Sequence, residues 1–181
     1  PVSGVTIQNS RVLAVEETGS EQSGGEDVAA NGINAQLGGT NIGQPGDTMA
    51  NLAIRDNLIA NFYISGTGNS DDEVTATGIR LNQKDKNVQD PVISGNVIRD
   101  LQASNNNDAG TIEARGITIN AGSSGSGTPV DGLTIDSNKI KDLLSAPAGS
   151  STGIAMFEDF QFSPREGPTN FEITANEFGL I

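Results

Sequence analysis

An eleven-residue frame, apolar-x-apolar-x-x-Asn-x-apolar-x-x-apolar, recurs through this chain and leaves few folds open to it. It runs Leu52-x-Ile54-x-x-Asn57-x-Ile59-x-x-Phe62, Pro91-x-Ile93-x-x-Asn96-x-Ile98-x-x-Leu101, Leu133-x-Ile135-x-x-Asn138-x-Ile140-x-x-Leu143 and Phe171-x-Ile173-x-x-Asn176-x-Phe178-x-x-Ile181. A further copy stands near the start as Val5-x-Ile7-x-x-Ser10-x-Val12-x-x-Val15, with Ser at the Asn position. A helix needs apolar spacings of three and four throughout. The frame instead gives a short alternating strand, a corner and a second short strand. Asn tolerates the left-handed backbone better than other non-Gly residues, so Asn57, Asn96, Asn138 and Asn176 are expected at the corners. Stacked one above another, their amides would form a ladder.

A second motif follows each of the first four frames: Gly32-Ile33-Asn34-Ala35, Gly78-Ile79-Arg80-Leu81, Gly116-Ile117-Thr118-Ile119 and Gly153-Ile154-Ala155-Met156. Corresponding Ile residues (Ile7, Ile54, Ile93, Ile135, Ile173) lie 47, 39, 42 and 38 positions apart. A repeat of about forty residues made of short strands predicts a solenoid. The expected fold is therefore all-β: one parallel β-helix domain over 1–181, with four to five rungs and three short strands per turn. Two long polar loops per turn complete it, at 16–31, 63–77, 102–115 and 144–152 on one side and 36–51, 82–90, 120–132 and 157–170 on the other. Inward columns would be Ile7/Ile54/Ile93/Ile135/Ile173, Val12/Ile59/Ile98/Ile140/Phe178, Val15/Phe62/Leu101/Leu143/Ile181 and Ile33/Ile79/Ile117/Ile154. Pro91 lacks a ladder donor but is tolerated as the first residue of a strand.

Composition agrees with a narrow aliphatic core. Only 34% of the 181 residues are hydrophobic and 4% aromatic, while Gly numbers 23. A net charge of −13 makes nucleic acid and anionic membrane surfaces poor partners, because the long-range field repels them. No apolar run is long enough to insert into a bilayer. The absence of Cys removes disulfides and thiolate-metal sites, and the absence of His removes imidazole bases and ligands. The sequence starts at Pro1 rather than Met, which points to a processed or excised segment, and the acidic, Lys-poor surface fits an extracellular setting.

The two motifs together resemble the right-handed parallel β-helix superfamily, the pectate-lyase-like fold, over residues 5–181. That superfamily includes polysaccharide lyases and hydrolases, phage tailspikes, adhesins and surface proteins. The resemblance implies the fold; the chemistry has to be sought residue by residue. Polygalacturonase-like members combine Asp residues with His and Arg-x-Lys. Here no His exists, no Arg-x-Lys occurs, and Asp71-Asp72 is the only adjacent Asp pair, so that set does not carry over. Lyase-like members use Ca2+-holding acids with an Arg or Lys base, for which the candidates are Arg80 and Arg115 beside Glu113, Asp108 or Asp85. Against this stands the ordinary behaviour of surface charges, a solvated or salt-bridged face. Ca2+ takes carboxylate and carbonyl oxygens, which Asp71, Asp72 and Asp108 would supply, though without EF-hand spacing. No other cofactor is expected. The aromatic cluster Met156–Phe162 is expected to cover the last strands. Its Phe160 is also the candidate for stacking on a sugar, beside Arg80 and Arg115. The Gly/Ser stretch 121–127 reads as a spacer, with no Gly-Lys-Ser/Thr to make it a phosphate cradle.

The remaining charges have structural readings. Arg99-Asp100 and Lys141-Asp142 occupy equivalent positions and are expected to pair diagonally between turns. No capping helix is evident at either end, so Val5 and Ile7 at one end and Phe171, Ile173, Phe178 and Ile181 at the other are expected to be exposed contact residues. These features predict a non-enzymatic extracellular structural or surface protein. It would self-associate through its ends into a filament, or act as an adhesin toward other surface proteins. The alternative is a carbohydrate-active β-helix, a polysaccharide lyase, a glycoside hydrolase or a tailspike-like binder of polysaccharide.

Overall fold

Every described strand pairs in parallel with the strand one cycle away, so like residues of the repeats lie side by side. The computed structural model describes residues 2–19, 28–37, 48–66, 73–83, 87–105, 111–121, 130–146, 149–158 and 168–179. The first cycle holds β1 (Val2–Ser3), β2 (Thr6–Gln8), β3 (Arg11–Gly19) and β4 (Val28–Leu37). The second holds β5 (Thr48–Ala50), β6 (Ala53–Arg55), β7 (Leu58–Gly66) and β8 (Glu73–Gln83). The third holds β9 (Asn87–Gln89), β10 (Val92–Ser94), β11 (Val97–Asn105) and β12 (Thr111–Ala121). The fourth holds β13 (Val130–Asp131), β14 (Thr134–Asp136), β15 (Lys139–Ser145) and β16 (Ser150–Glu158). A fifth begins with Thr169 bridged to Asp131, followed by β17 (Glu172–Thr174) and β18 (Glu177–Phe178).

These strands form four sheets: A (β1-β5-β9-β13), B (β2-β6-β10-β14-β17), C (β3-β7-β11-β15-β18) and D (β4-β8-β12-β16). The chain is thus all-β with all-parallel sheets, the arrangement of a parallel β-solenoid, and no helix occurs among the described residues. Two expectations need correcting. Each full cycle has four strands, not three, because the stretches read as loops contain the sheet A strands β5, β9 and β13. The strands of sheets C and D also run further than expected: β7 reaches Gly66 and β8 starts at Glu73, within the stretch 63–77 read as loop. Alternation of Val74 with Ala76, and of Ile112 with Ala114, carries β8 and β12 inward-facing through that stretch.

The register places Ile7, Ile54, Ile93, Ile135 and Ile173 in one row of sheet B. Val12, Ile59, Ile98, Ile140 and Phe178 form a row of sheet C, and Ile33, Ile79, Ile117 and Ile154 a row of sheet D. The central members are fully buried, with Phe62, Leu101 and Leu143 beside them. At about 4.8 Å between strands, each side chain packs on its own kind above and below.

The corners differ from expectation in an instructive way. The left-handed residue is not the Asn of the frame but the one before it: Asn9, Asp56, Gly95, Ser137 and Ala175, with φ of 54, 56, 63, 54 and 49°. The frame Asn is instead selected by its hydrogen bonds. Asn57 Nδ2 donates to Asn96 Oδ1 at 3.0 Å, Asn96 Nδ2 to Asn138 Oδ1 at 2.9 Å, and Asn138 Nδ2 to Asn176 Oδ1 at 2.9 Å. Each Oδ1 also accepts the backbone N–H of the residue one cycle back, and each Nδ2 also donates to a sheet B carbonyl: Ile7, Ile54, Ile93 and Ile135 for the four in turn. Only an amide supplies both the acceptor and the two donors this buried corner needs.

Sheet C bends at a second left-handed column, Ala14, Asn61, Asp100 and Asp142. Between inward Ile98 and Leu101, both Arg99 and Asp100 therefore face outward. Arg99 pairs with Asp100, and Lys141 Nζ with Asp142 at 3.4 Å, within one cycle rather than diagonally between cycles. The expected diagonal pairing is corrected on that ground.

Sheet D bends at its glycines. A Cβ on Gly78 would lie 2.6 Å from Ile98 Cγ2 and 2.6 Å from Gly116 O. On Gly116 it would meet Ile140 Cγ2 at 2.6 Å and Gly153 O at 2.5 Å. The Gly-Ile motif thus exists because the sheet C isoleucines press directly onto this backbone.

Candidate functional site: the outer face of sheet D and the last cycle

The glycine bend decides which side chains meet outside. Because Gly78 and Ile79 both face the core, Thr77 and Arg80 both face outward on either side of the bend. Register adds Arg115 beside Thr77, and Thr118 beside Arg80. The two candidate arginines are thus brought to one face, on adjacent strands and across the bend. Thr77 and Thr118 point away from the core yet are 2% and 1% exposed, so both lie low on the outer face, beneath the side chains around them.

The charges in this recess are unevenly matched. Arg115 forms an ion pair with Glu113, both side chains largely buried, and Ser150 Oγ donates to Glu113 Oε1 at 3.4 Å. Burial pushes the Arg115 guanidinium below its ordinary value, Glu73 opposes that shift, and Arg80 adds to it by like-charge repulsion. Arginine remains protonated through such shifts, so the effect is a cost of holding charge there. Glu73 Oε1 accepts from Thr75 Oγ1 at 2.7 Å. Among the described residues, Arg80 Nε and Thr118 Oγ1, both shut off from solvent, have no hydrogen-bond partner.

The last cycle is the other candidate. Phe171, Ile173 and Phe178 are 50%, 39% and 47% exposed, although Leu133, Ile135 and Ile140, one cycle below in the same columns, are fully buried. At the first cycle Val5, Ile7 and Val12 are partly buried. The last cycle is tied down by polar contacts. Asp131 Oδ1 accepts from Asn170 Nδ2 at 2.8 Å and Thr169 Oγ1 at 2.9 Å, Asp136 accepts from Thr174 Oγ1 at 2.7 Å and Ser137 Oγ at 2.8 Å, and Lys139 Nζ meets Glu177 at 2.9 Å. These contacts hold all three carboxyls below their ordinary range: Asp131 chiefly through Asn170, Asp136 through Thr174, Glu177 through Lys139.

The calcium candidates Asp71, Asp72 and Asp108, the sugar-stacking candidate Phe160 and the end residue Ile181 lie outside the described residues. Among the described residues, no three acidic side chains are grouped to hold a metal ion. Asn57, Asn96, Asn138 and Asn176 are corner residues; the side-chain amides of the first three are fully engaged, while Asn176 Nδ2 has no further amide to donate to among the described residues. Sequence reasoning missed Thr77, Thr118 and Glu73. Extending the period-two alternation five residues upstream of each Gly-Ile would have placed Glu73, Thr75 and Thr77 on the face shared with Glu113 and Arg115. Compared with protein-family models, with curated proteins and with solved structures, the chain matches none.

Proposed function

We propose that this chain is a non-enzymatic, extracellular structural protein, a right-handed parallel β-helix whose last described cycle is an assembly surface. Handedness follows from the general rule that parallel β crossovers are right-handed in about 98% of cases. The observation that carries the functional reading is the abrupt exposure of the apolar columns at Phe171, Ile173 and Phe178, directly above fully buried partners. An apolar cross-section bordered by open strand edges is a template for another strand layer.

A second copy fits that template by register. Continuing the columns places its Val5 over Phe171, Ile7 over Ile173, Val12 over Phe178 and cationic Arg11 over anionic Glu177. The surfaces are not flush: sheets B and C have five strands and sheet D four, so a stacked copy seats on B and C and stands one strand clear of β16. Head-to-tail contact of unlike ends does not close and propagates as a filament. Placement outside the cell rests on the acidic, Lys-poor composition.

The test is self-association measured by analytical ultracentrifugation across a wide concentration range. Wild type should form end-to-end oligomers. Ile173→Asp and Phe178→Glu should be monomeric with unchanged β-sheet circular dichroism. A wild type that stays monomeric at the highest concentrations defeats the reading.

A further inference from the structure

We propose that the recess on the outer face of sheet D binds an oxyanion, a carboxylate or sulfate group, through Arg80 and Thr118. The inference is independent of the assembly reading, since it concerns the side of the coil and not its end.

Three observations converge there. Arg80 and Thr118 are register partners on adjacent strands, so their side chains leave the sheet about 4.8 Å apart on the same side. Arg80 Nε and Thr118 Oγ1 are each closed to solvent and, among the described residues, unpartnered, a state that costs the desolvation of both groups. Arg115, the second guanidinium of the recess, is already matched by Glu113 and Glu73, and Arg80 acts on it as a repelling charge.

The missing partner has a defined chemistry. Arg80 offers N–H donors and a positive charge, and the Thr118 hydroxyl offers one more donor. An acceptor-rich anion completes both and also meets the positive charge, and the planar guanidinium fork matches the geometry of carboxylate and sulfate oxygens. Arg80 as a residue stays partly open to solvent, which gives the anion a route to the fork. Thr77, 2% exposed, lies across the bend, and among the described residues Glu113 and Glu73 are the acidic groups beside Arg115. Their presence favours a single oxyanion at Arg80 over a densely charged polyanion. The net charge of −13 also gives no long-range attraction, so binding depends on contact.

The experiment is an NMR titration of the arginine Nε–H and backbone amide signals with sulfate, acetate and glucuronate, each against chloride at constant ionic strength. Saturable shifts are expected at Arg80 Nε–H and at the Thr118 amide. Response to sulfate alone assigns a sulfated ligand, response to acetate and glucuronate together a carboxylate, and response to glucuronate alone an acidic sugar; each supports the site. Arg80→Lys, which keeps the charge and stem but loses the fork, should bind about tenfold more weakly. Thr118→Val, of nearly the same shape, should also weaken binding, and both variants are checked for unchanged circular dichroism. No saturable shift with any of the three anions, equal shifts with chloride, or undiminished binding by Arg80→Lys overturns the proposal.

Discussion

Asn138 Oδ1 accepts two hydrogen bonds from Asn96, one from its side-chain Nδ2 at 2.9 Å and one from its backbone N–H at 3.0 Å. The same double contact joins Asn57 to Asn96 and Asn138 to Asn176. Asn96→Ala would strand the Asn57 N–H and Nδ2–H and the Ile54 carbonyl inside the molecule. At about 1–3 kcal/mol for each buried group left unpaired, partly relieved by relaxation, a loss of about 3 kcal/mol is expected. Asn176→Ala, at the more open last cycle, should cost less than half as much. Urea unfolding of the two variants checks the order.

Gly78→Ala should be among the most damaging small substitutions. The added methyl meets both a side chain, Ile98 Cγ2, and a backbone carbonyl, Gly116 O. Overpacking of this kind costs about 1–3 kcal/mol or more. Trimming the side chain in Gly78→Ala/Ile98→Ala should fail to restore stability, because the carbonyl contact remains and a cavity is added. A double variant more stable than Gly78→Ala alone would show that the side chain, not the backbone, sets the limit.

Acid should loosen the last cycle first. Asp131, Asp136 and Glu177 have folded-state pKa values below their ordinary ones. A depressed carboxyl stabilises fully above its unfolded pKa and loses that contribution as pH falls through its folded pKa. The ties to Asn170, Thr174 and Lys139 are therefore intact at neutral pH and weaken below the ordinary carboxylate range. Hydrogen exchange should show the amides of Glu172 and Glu177 losing protection on acidification, ahead of those of β10 and β11. Equal loss in both regions would contradict this.

Burial should decide the value of otherwise equivalent positions. Ile140 and Phe178 are register partners in one column, the first fully buried and the second 47% exposed. Ile140→Ala is expected to cost about 2–5 kcal/mol. In dilute, monomeric protein Phe178→Ala should stay within about 1 kcal/mol of wild type, despite removing the larger side chain. Thermal melts of the two variants at low concentration compare them directly.

The inward columns were legible because period-two strands and a cycle of about forty residues leave a mark on the sequence that survives variation elsewhere. Sheet A was not: β5, β9 and β13 are two or three residues long, and single inward residues such as Val88 and Val130 make no period. Asn at the corner was legible, but its physical reason was not. The left-handed turn falls on Asp56, Gly95 or Ser137, residues of no common type, while the Asn answers to bonds from neighbouring cycles. Arg80 and Arg115 could be named as candidates, yet only the register shows that they share a face, because a one-residue phase change at the glycines separates their alternations. Thr118 carried no signal by itself. Its interest arises from an unpartnered hydroxyl, which no sequence pattern records.

The amide column running from Asn57 to Asn176 also gives the molecule an arrow. Every link points the same way, nitrogen of one cycle to oxygen of the next, so the side-chain dipoles add rather than cancel and each bond polarises its neighbour. At Asn176 the oxygen is already filled by Asn138, so what that end has to offer is hydrogen. Two such ends brought face to face would set donor against donor. Whatever extends this column, a further cycle of the same chain or another molecule, must arrive with an acceptor leading.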